Sequence, residues 1–157
     1  GTVLTLKVHG LLPMKETEVE KVRKANGDFY EAFESLKISE MDRIWKHSDE
    51  VQCIHPGWEV LSGWKLVRTS WEHIFRATQF MKFHITDVTI TIYDKIAWVI
   101  CTENISSAQQ DRYLESTILA TNIYEKCQDR WLMIHHHGSP VYSRSALHEP
   151  SRQTHLN

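Results

Sequence analysis

Two stretches of this chain end an apolar run on imidazole. In "CIHPGW", His55 precedes a Pro-Gly turn; in "WLMIHHHGSP", His135, His136 and His137 precede Gly138. An imidazole, with a reference pKa of roughly 6.5, can exchange a proton near neutral pH or hydrogen-bond a ligand carbonyl. His55 could equally cap its turn through a backbone carbonyl. On a strand, His135 and His137 face one side and His136 the other. Two histidines so spaced can chelate zinc if a third ligand joins them, with His55 or Glu103 as the candidates. No second His-x-His and no acidic pair marks such a site, so no metal and no other cofactor is expected.

Two strand carboxylates are candidates as well, Asp87 and Glu103. Glu103 shares its strand parity with Ala97, Val99 and Cys101, which points it inward. A carboxyl held in an apolar interior has a raised pKa and can act as an acid. Of the six tryptophans, Trp58 and Trp64 flank the turn after His55 and are expected to wall a small apolar pocket. Tyr30 and His136 join Glu103 and these two as the expected ligand contacts. Trp71, Trp98 and Trp131 are expected in the core.

These residues need elements to hold them. Residues 17–36 read as a helix, with Val19, Val22, Asn26, Phe29 and Phe33 at three-and-four spacing. Gly27 inside it costs about 1 kcal/mol against alanine, which suggests a close neighbour or compensating packing. Residues 38–45 read as a short helix with Ser39 as its cap, and residues 65–78 as a third. "EVQCIH" reads as a strand ending at Pro56-Gly57, and "EVLSGW" as a short strand or irregular return. From Met81 the period changes to two. Long strands follow over 81–93, 96–107, 111–127 and 130–137, joined by turns at Asp94-Lys95 and Gln128-Asp129. Helices first and antiparallel strands after give α+β with segregated layers. "AWVIC" and "TILATNIY" are apolar on both faces, yet the sequence has no second helical layer. A partner's sheet is therefore expected to cover the far face, as a homodimer.

The whole chain sets the bounds. Its 157 residues, 41% apolar and 24% charged, suit one domain with a real core. A net charge of −2 without a basic patch argues against nucleic acid, and no run approaches a membrane span. The start reads as no secretory signal. Three cysteines without a C-x-x-C suit buried thiols in a reducing, cytoplasmic setting. Residues 1–17 read as an extension, 18–142 as the domain, and 143–157 as a polar, loose tail.

The element order, with "HPGW", "SW..IF", "ATNIY" and "W...HHHGSP", resembles the SnoaL-like branch of the nuclear transport factor 2-like superfamily over about residues 18–142. The resemblance implies a cystatin-like cone: a strongly bent antiparallel sheet closed on its concave side by the N-terminal helices, often around an apolar pocket and often paired through the sheets. It implies no single function. Ketosteroid isomerase, one member, has its aspartate base where this chain has His55. The isomerase's proton-donating acid matches Thr121 or Asn122, so Asn122 becomes a candidate oxyanion donor. Both are departures from the isomerase pattern. Two functions follow as expectations: acid–base chemistry on a small apolar carbonyl compound, as an isomerase, cyclase or dehydratase, or a non-catalytic dimeric module for ligand binding or assembly.

Overall fold

Thr17 opens the first helix by a reciprocal cap. Its hydroxyl accepts from the Glu20 amide at 3.2 Å, and the Glu20 carboxylate accepts from the Thr17 amide at 3.0 Å. The computed structural model describes residues 15–142; the expected N-terminal extension lies mostly, and the C-terminal tail wholly, outside them. Helix α1, Glu18–Ser35, buries Val22, Asn26, Phe29, Tyr30 and Phe33, while Val19 stays exposed. Leu36 ends it in the left-handed region. Gly27 has open space on its Cβ side, so of the two expectations, a close neighbour or compensating packing, the close neighbour does not occur.

Helix α2 spans Ile38–Asp42, shorter than the sequence suggests, and follows Lys37 rather than a Ser39 cap. Competition from the sheet ends it. The Met133 amide donates to the Ile44 carbonyl at 2.9 Å, and the Lys46 amide donates to the Met133 carbonyl at 3.0 Å. Strand β1, Gln52–Ile54, and the two-residue β2, Leu61–Ser62, come next. Gly63, at φ 89°, then starts helix α3, Trp64–Ala77, which buries Val67, Ser70, Trp71 and Phe75.

Four long strands complete the chain: β3 Phe80–Tyr93, β4 Ile96–Gln109, β5 Arg112–Cys127 and β6 Arg130–Pro140. The sheet order is β2-β1-β6-β5-β4-β3. The long strands pair antiparallel, but β1 runs parallel to β6, with Cys53 beside His136. The fold is the expected α+β cone, a curved, unclosed sheet with helices on one face. Two irregularities bend it, between Thr86 and Thr89 on β3 and opposite Ile123/Tyr124 where β6 has one extra residue, Ile134.

The core fills the concave side with aromatic rings. Phe33 meets Trp71 at 4.8 Å and Phe83 at 4.7 Å between centroids, and Phe29 meets Trp71 at 5.9 Å. Trp71 and Trp131 lie in this core, but Trp98 does not. It is 38% exposed on the opposite face, because Ala97 and Val99 take the inward positions of β4. Cys53 and Cys101 are buried free thiols, and Cys127 is half-buried. Among the described residues no helix is long and apolar enough to cross a membrane.

Candidate functional site

A polar network crosses the concave face inside the apolar packing. β4 brings Glu103 inward, as its parity with Ala97, Val99 and Cys101 requires, and leaves it 3% exposed. The Tyr30 hydroxyl, reaching across from α1, lies 2.6 Å from Glu103 Oε2 and 3.3 Å from Cys101 Sγ. Asn122 on β5 donates from Nδ2 to the Tyr30 oxygen at 3.1 Å and to Asn26 Oδ1 at 2.9 Å. Tyr124 donates to the same Asn26 oxygen at 2.8 Å. His136 Nδ1 lies 2.6 Å from Asn122 Oδ1.

Donor and acceptor roles fix the proton positions. An amide oxygen only accepts, so His136 carries its proton on Nδ1. The Tyr30 oxygen accepts from Asn122, so its own proton goes to Glu103. Burial pushes the Glu103 carboxyl up to about 7, against the opposing pull of the Tyr30 hydrogen bond. Burial likewise raises the Tyr30 and Tyr124 hydroxyls and holds His136 well below its ordinary value. At neutral pH both tyrosines and His136 are uncharged, and Glu103 is divided between its two forms.

This network has an outer door. Between α1 and β3 runs a groove of about 280 Å³, floored by Phe83, Ile85 and Val88. Tyr30 and Asn26 form its inner end, and Arg23, Glu31 and Glu34 lie along its rim. Ile85 is the strand partner of Glu103, so the acid stands beside it on the same face of the sheet and meets the groove through Tyr30 rather than lining it. Gly27 lines the groove too, and its missing side chain keeps the wall open.

The other expected site residues lie elsewhere. His55 is 3% exposed, wedged edge-on against Trp71 at 4.7 Å and Trp58 at 4.9 Å. Its Nε2 is 2.8 Å from Ser70 Oγ. Ser70 spends its own proton on the Val67 carbonyl at 2.6 Å, so His55 is the donor. Burial lowers the His55 pKa to about 4, which leaves a neutral and weakly basic imidazole. Trp58 is 42% exposed after β1. Trp64 stacks on His47 at 4.7 Å and on Trp45 at 6.0 Å. Neither tryptophan lines the α1–β3 groove. Asp87 lies on the outside, where it accepts from Thr102 at 3.4 Å. His135 and His137 face away from His55 and Glu103, so neither can complete a metal site with them. Among the described residues no three His, Cys, Asp or Glu side chains gather as metal ligands.

Two members of the network, Asn26 and Tyr124, escaped the sequence reading. The available signal was Asn26 itself, a polar residue inside the apolar stripe of α1. The indole of Trp131 donates to Glu18 at 3.0 Å, whereas the buried indoles of Trp45 and Trp71 have no partner among the described residues.

With this geometry in place, the chain matches the SnoaL-like domain over residues 22–143. It belongs to that family. It is 31% identical over 143 residues to the F-box protein SKIP8 of Arabidopsis thaliana, covering 86% of this chain and 58% of the relative. The chain thus spans little more than half the length of that curated relative. A solved structure from Streptomyces avermitilis, described as a candidate dehydratase of the nuclear transport factor 2-like family, is 36% identical with a TM-score of 0.75. That match covers 80% of this chain and 96% of the other. One from Thiobacillus denitrificans, described as a candidate calcium/calmodulin-dependent protein kinase type II association domain, is 30% identical with a TM-score of 0.69. It covers 76% and 94% respectively.

Proposed function

We propose that this SnoaL-like domain binds a small, largely apolar carbonyl or hydroxyl compound in the α1–β3 groove and exchanges a proton with it through Glu103 and Tyr30. The observation that carries this reading is Tyr30, which lines an apolar-floored groove and bonds the buried Glu103 at 2.6 Å, a carboxyl that burial raises to about 7. A group whose pKa sits at the working pH can both give and take a proton. Tyr30 presents the hydroxyl, and Asn122 and Asn26 fix its direction, so Asn122 is a positioning residue. Proton transfer beside a carbonyl, as in isomerisation, cyclisation or dehydration, is the reaction class. The candidate-dehydratase description of a 36%-identical structure supports it. The proton role passes from His55, which is neutral and engaged with Ser70, to Glu103. Buried free thiols at Cys53 and Cys101 suit a reducing compartment such as the cytoplasm.

4-Nitrophenol tests the reading, because it is a small aromatic hydroxyl compound whose phenolate mimics an enolate. Saturable binding, followed by its absorbance, is expected in the wild type, and about tenfold weaker binding in Tyr30→Phe, the value of one hydrogen bond to a charged oxygen. No saturable binding, or equal binding by the variant, would overturn it.

A second reading concerns the open face of the sheet and is compatible with the first. Trp98, Ile100, Leu119, Thr121 and Ile123 lie there side by side, uncovered by any helix, with no charged residue among them. Two copies can meet through such a face without opposing like charges. The association-domain description of a 30%-identical structure favours it. Light scattering after size exclusion is expected to report a dimer for the wild type and a folded monomer for Trp98→Glu. A monomeric wild type would end this reading.

A further inference from the structure

The site above uses one histidine of the β6 run and leaves two. His135 and His137 stand on the open face of the sheet, opposite Ile123 and Thr121 on β5. Their ring centroids are 6.2 Å apart with planes at 87°. Two imidazoles on one tetrahedral zinc ion, with Zn–N bonds of about 2.0–2.1 Å, have centroids about 5 Å apart. Side-chain rotation of about 1 Å in total closes the difference, and exposed His137 is free to make it. No lysine or arginine competes from Thr121, Ile123, Gln52 or Ile54, the strand neighbours on either side.

One chain therefore offers half of a tetrahedral set, and no third ligand joins it from the described residues of the same chain. The sheet order places β6 and β5 as the two middle strands of six. If two copies pair face to face about a two-fold axis through the middle of that face, the axis runs beside this histidine pair. The second copy then brings its own pair to the same place. We propose that His135 and His137 of two copies together bind one divalent transition-metal ion of the zinc class across the open sheet face. This rests on the self-association reading of that face. Four imidazoles fill a tetrahedral shell and leave no open position, so the ion would be structural, tying two copies together, rather than catalytic.

Native mass spectrometry with zinc chloride at pH 7.5 tests this, with cobalt absorption as a second readout. The expected result is a dimer carrying one zinc ion, and cobalt bands of tetrahedral intensity. The double variant His135→Ala/His137→Ala is expected to lose the ion and the bands. Because both side chains lie on the outer face, it should keep its circular dichroism. The single variant His137→Ala, at an exposed position, is expected to bind about tenfold or more weakly, and guards against misfolding of the double variant. A dimer that takes up no zinc would overturn the metal site and leave the interface standing. One zinc per monomeric chain, or zinc retained by the double variant, would overturn it too. A monomer without zinc would end both this proposal and the self-association reading.

Discussion

Replacing Glu103 by glutamine should change how stability depends on pH, and the direction follows from burial. The folded carboxyl titrates at about 7 against an ordinary value of 4.5. Between those values the folded state holds the proton more tightly than the unfolded chain. Stability is therefore lost as pH rises through this window, by about 3 kcal/mol in total. Two buried histidines act in the opposite sense. His55 falls from 6.5 to about 4, and His136 is also lowered, so their contribution is present above pH 6.5 and lost in acid. In the wild type these slopes oppose each other between about pH 4.5 and 6.5. Glu103→Gln removes one of them and keeps the acceptor for Tyr30, since an amide oxygen can replace the carboxylate oxygen. The stability difference between variant and wild type should thus grow by about 3 kcal/mol in the variant's favour from pH 4 to pH 8. A constant offset from altered packing does not affect that growth. Urea unfolding followed by tryptophan fluorescence at each pH measures it. A difference that stays constant within about 0.5 kcal/mol would refute the claim that Glu103 carries the raised pKa.

Three further substitutions examine the same frame. Tyr30→Phe removes the one hydrogen bond that lowers Glu103, so NMR of labelled glutamate should show this carboxyl titrating still higher, with stability lower by about 1–3 kcal/mol at neutral pH. His55→Ala empties a packed position beside Trp71 and should cost about 2–4 kcal/mol in urea unfolding, yet leave 4-nitrophenol affinity unchanged. Lost affinity in a folded variant would return His55 to the site. Gly27→Ala meets open space on a helix and should raise stability by about 0.5–1 kcal/mol, seen as a higher melting temperature.

The legible parts of this molecule are those where period and pairing agree over many residues. Helices α1 and α3 and the four long strands stand close to where their spacing puts them. Glu103 could be placed inward because β4 pairs with β5 without a register shift, so parity counted from Ala97 holds. The end of α2 could not be read. Ile44 and Trp45 look helical in isolation, but the backbone of Met133 claims this segment for a sheet-like contact. The parallel pairing of β1 with β6 was hidden for a similar reason, since three residues carry too little pattern to choose a direction. Trp98 was misplaced because an apolar strand with both faces filled does not say which large residue is inside. For the site, type was easier to read than partnership. His55 and Asn122 stand out as polar groups at or on strands, but only the fold shows that both are buried, His55 with Ser70 and Asn122 with Tyr30.

The two irregularities in the sheet explain why the chemistry divides between its faces. On β3, Met81, Phe83 and Ile85 face the helices, and regular alternation would next turn Asp87 inward. Asp87 instead takes φ 54°, a left-handed conformation that aspartate tolerates, and Val88, Ile90 and Ile92 continue the inner face. On β6, Trp131 and Met133 face inward, and a regular strand would send His135 and His137 after them. Ile134 is the extra residue there. It shifts the phase by one, so His136 enters the network beside Asn122 while its two neighbours go to the open face. A single inserted residue thus gives three adjacent histidines two different environments, one dry and hydrogen-bonded, the other on the open face of the sheet. Strand parity counted along the sequence assigns them the opposite faces, because nothing in "WLMIHHHGSP" marks which residue will be left unpaired. That choice is made by the register of β5, whose Ile123 and Tyr124 pair with His135 and Met133 and pass over the residue between.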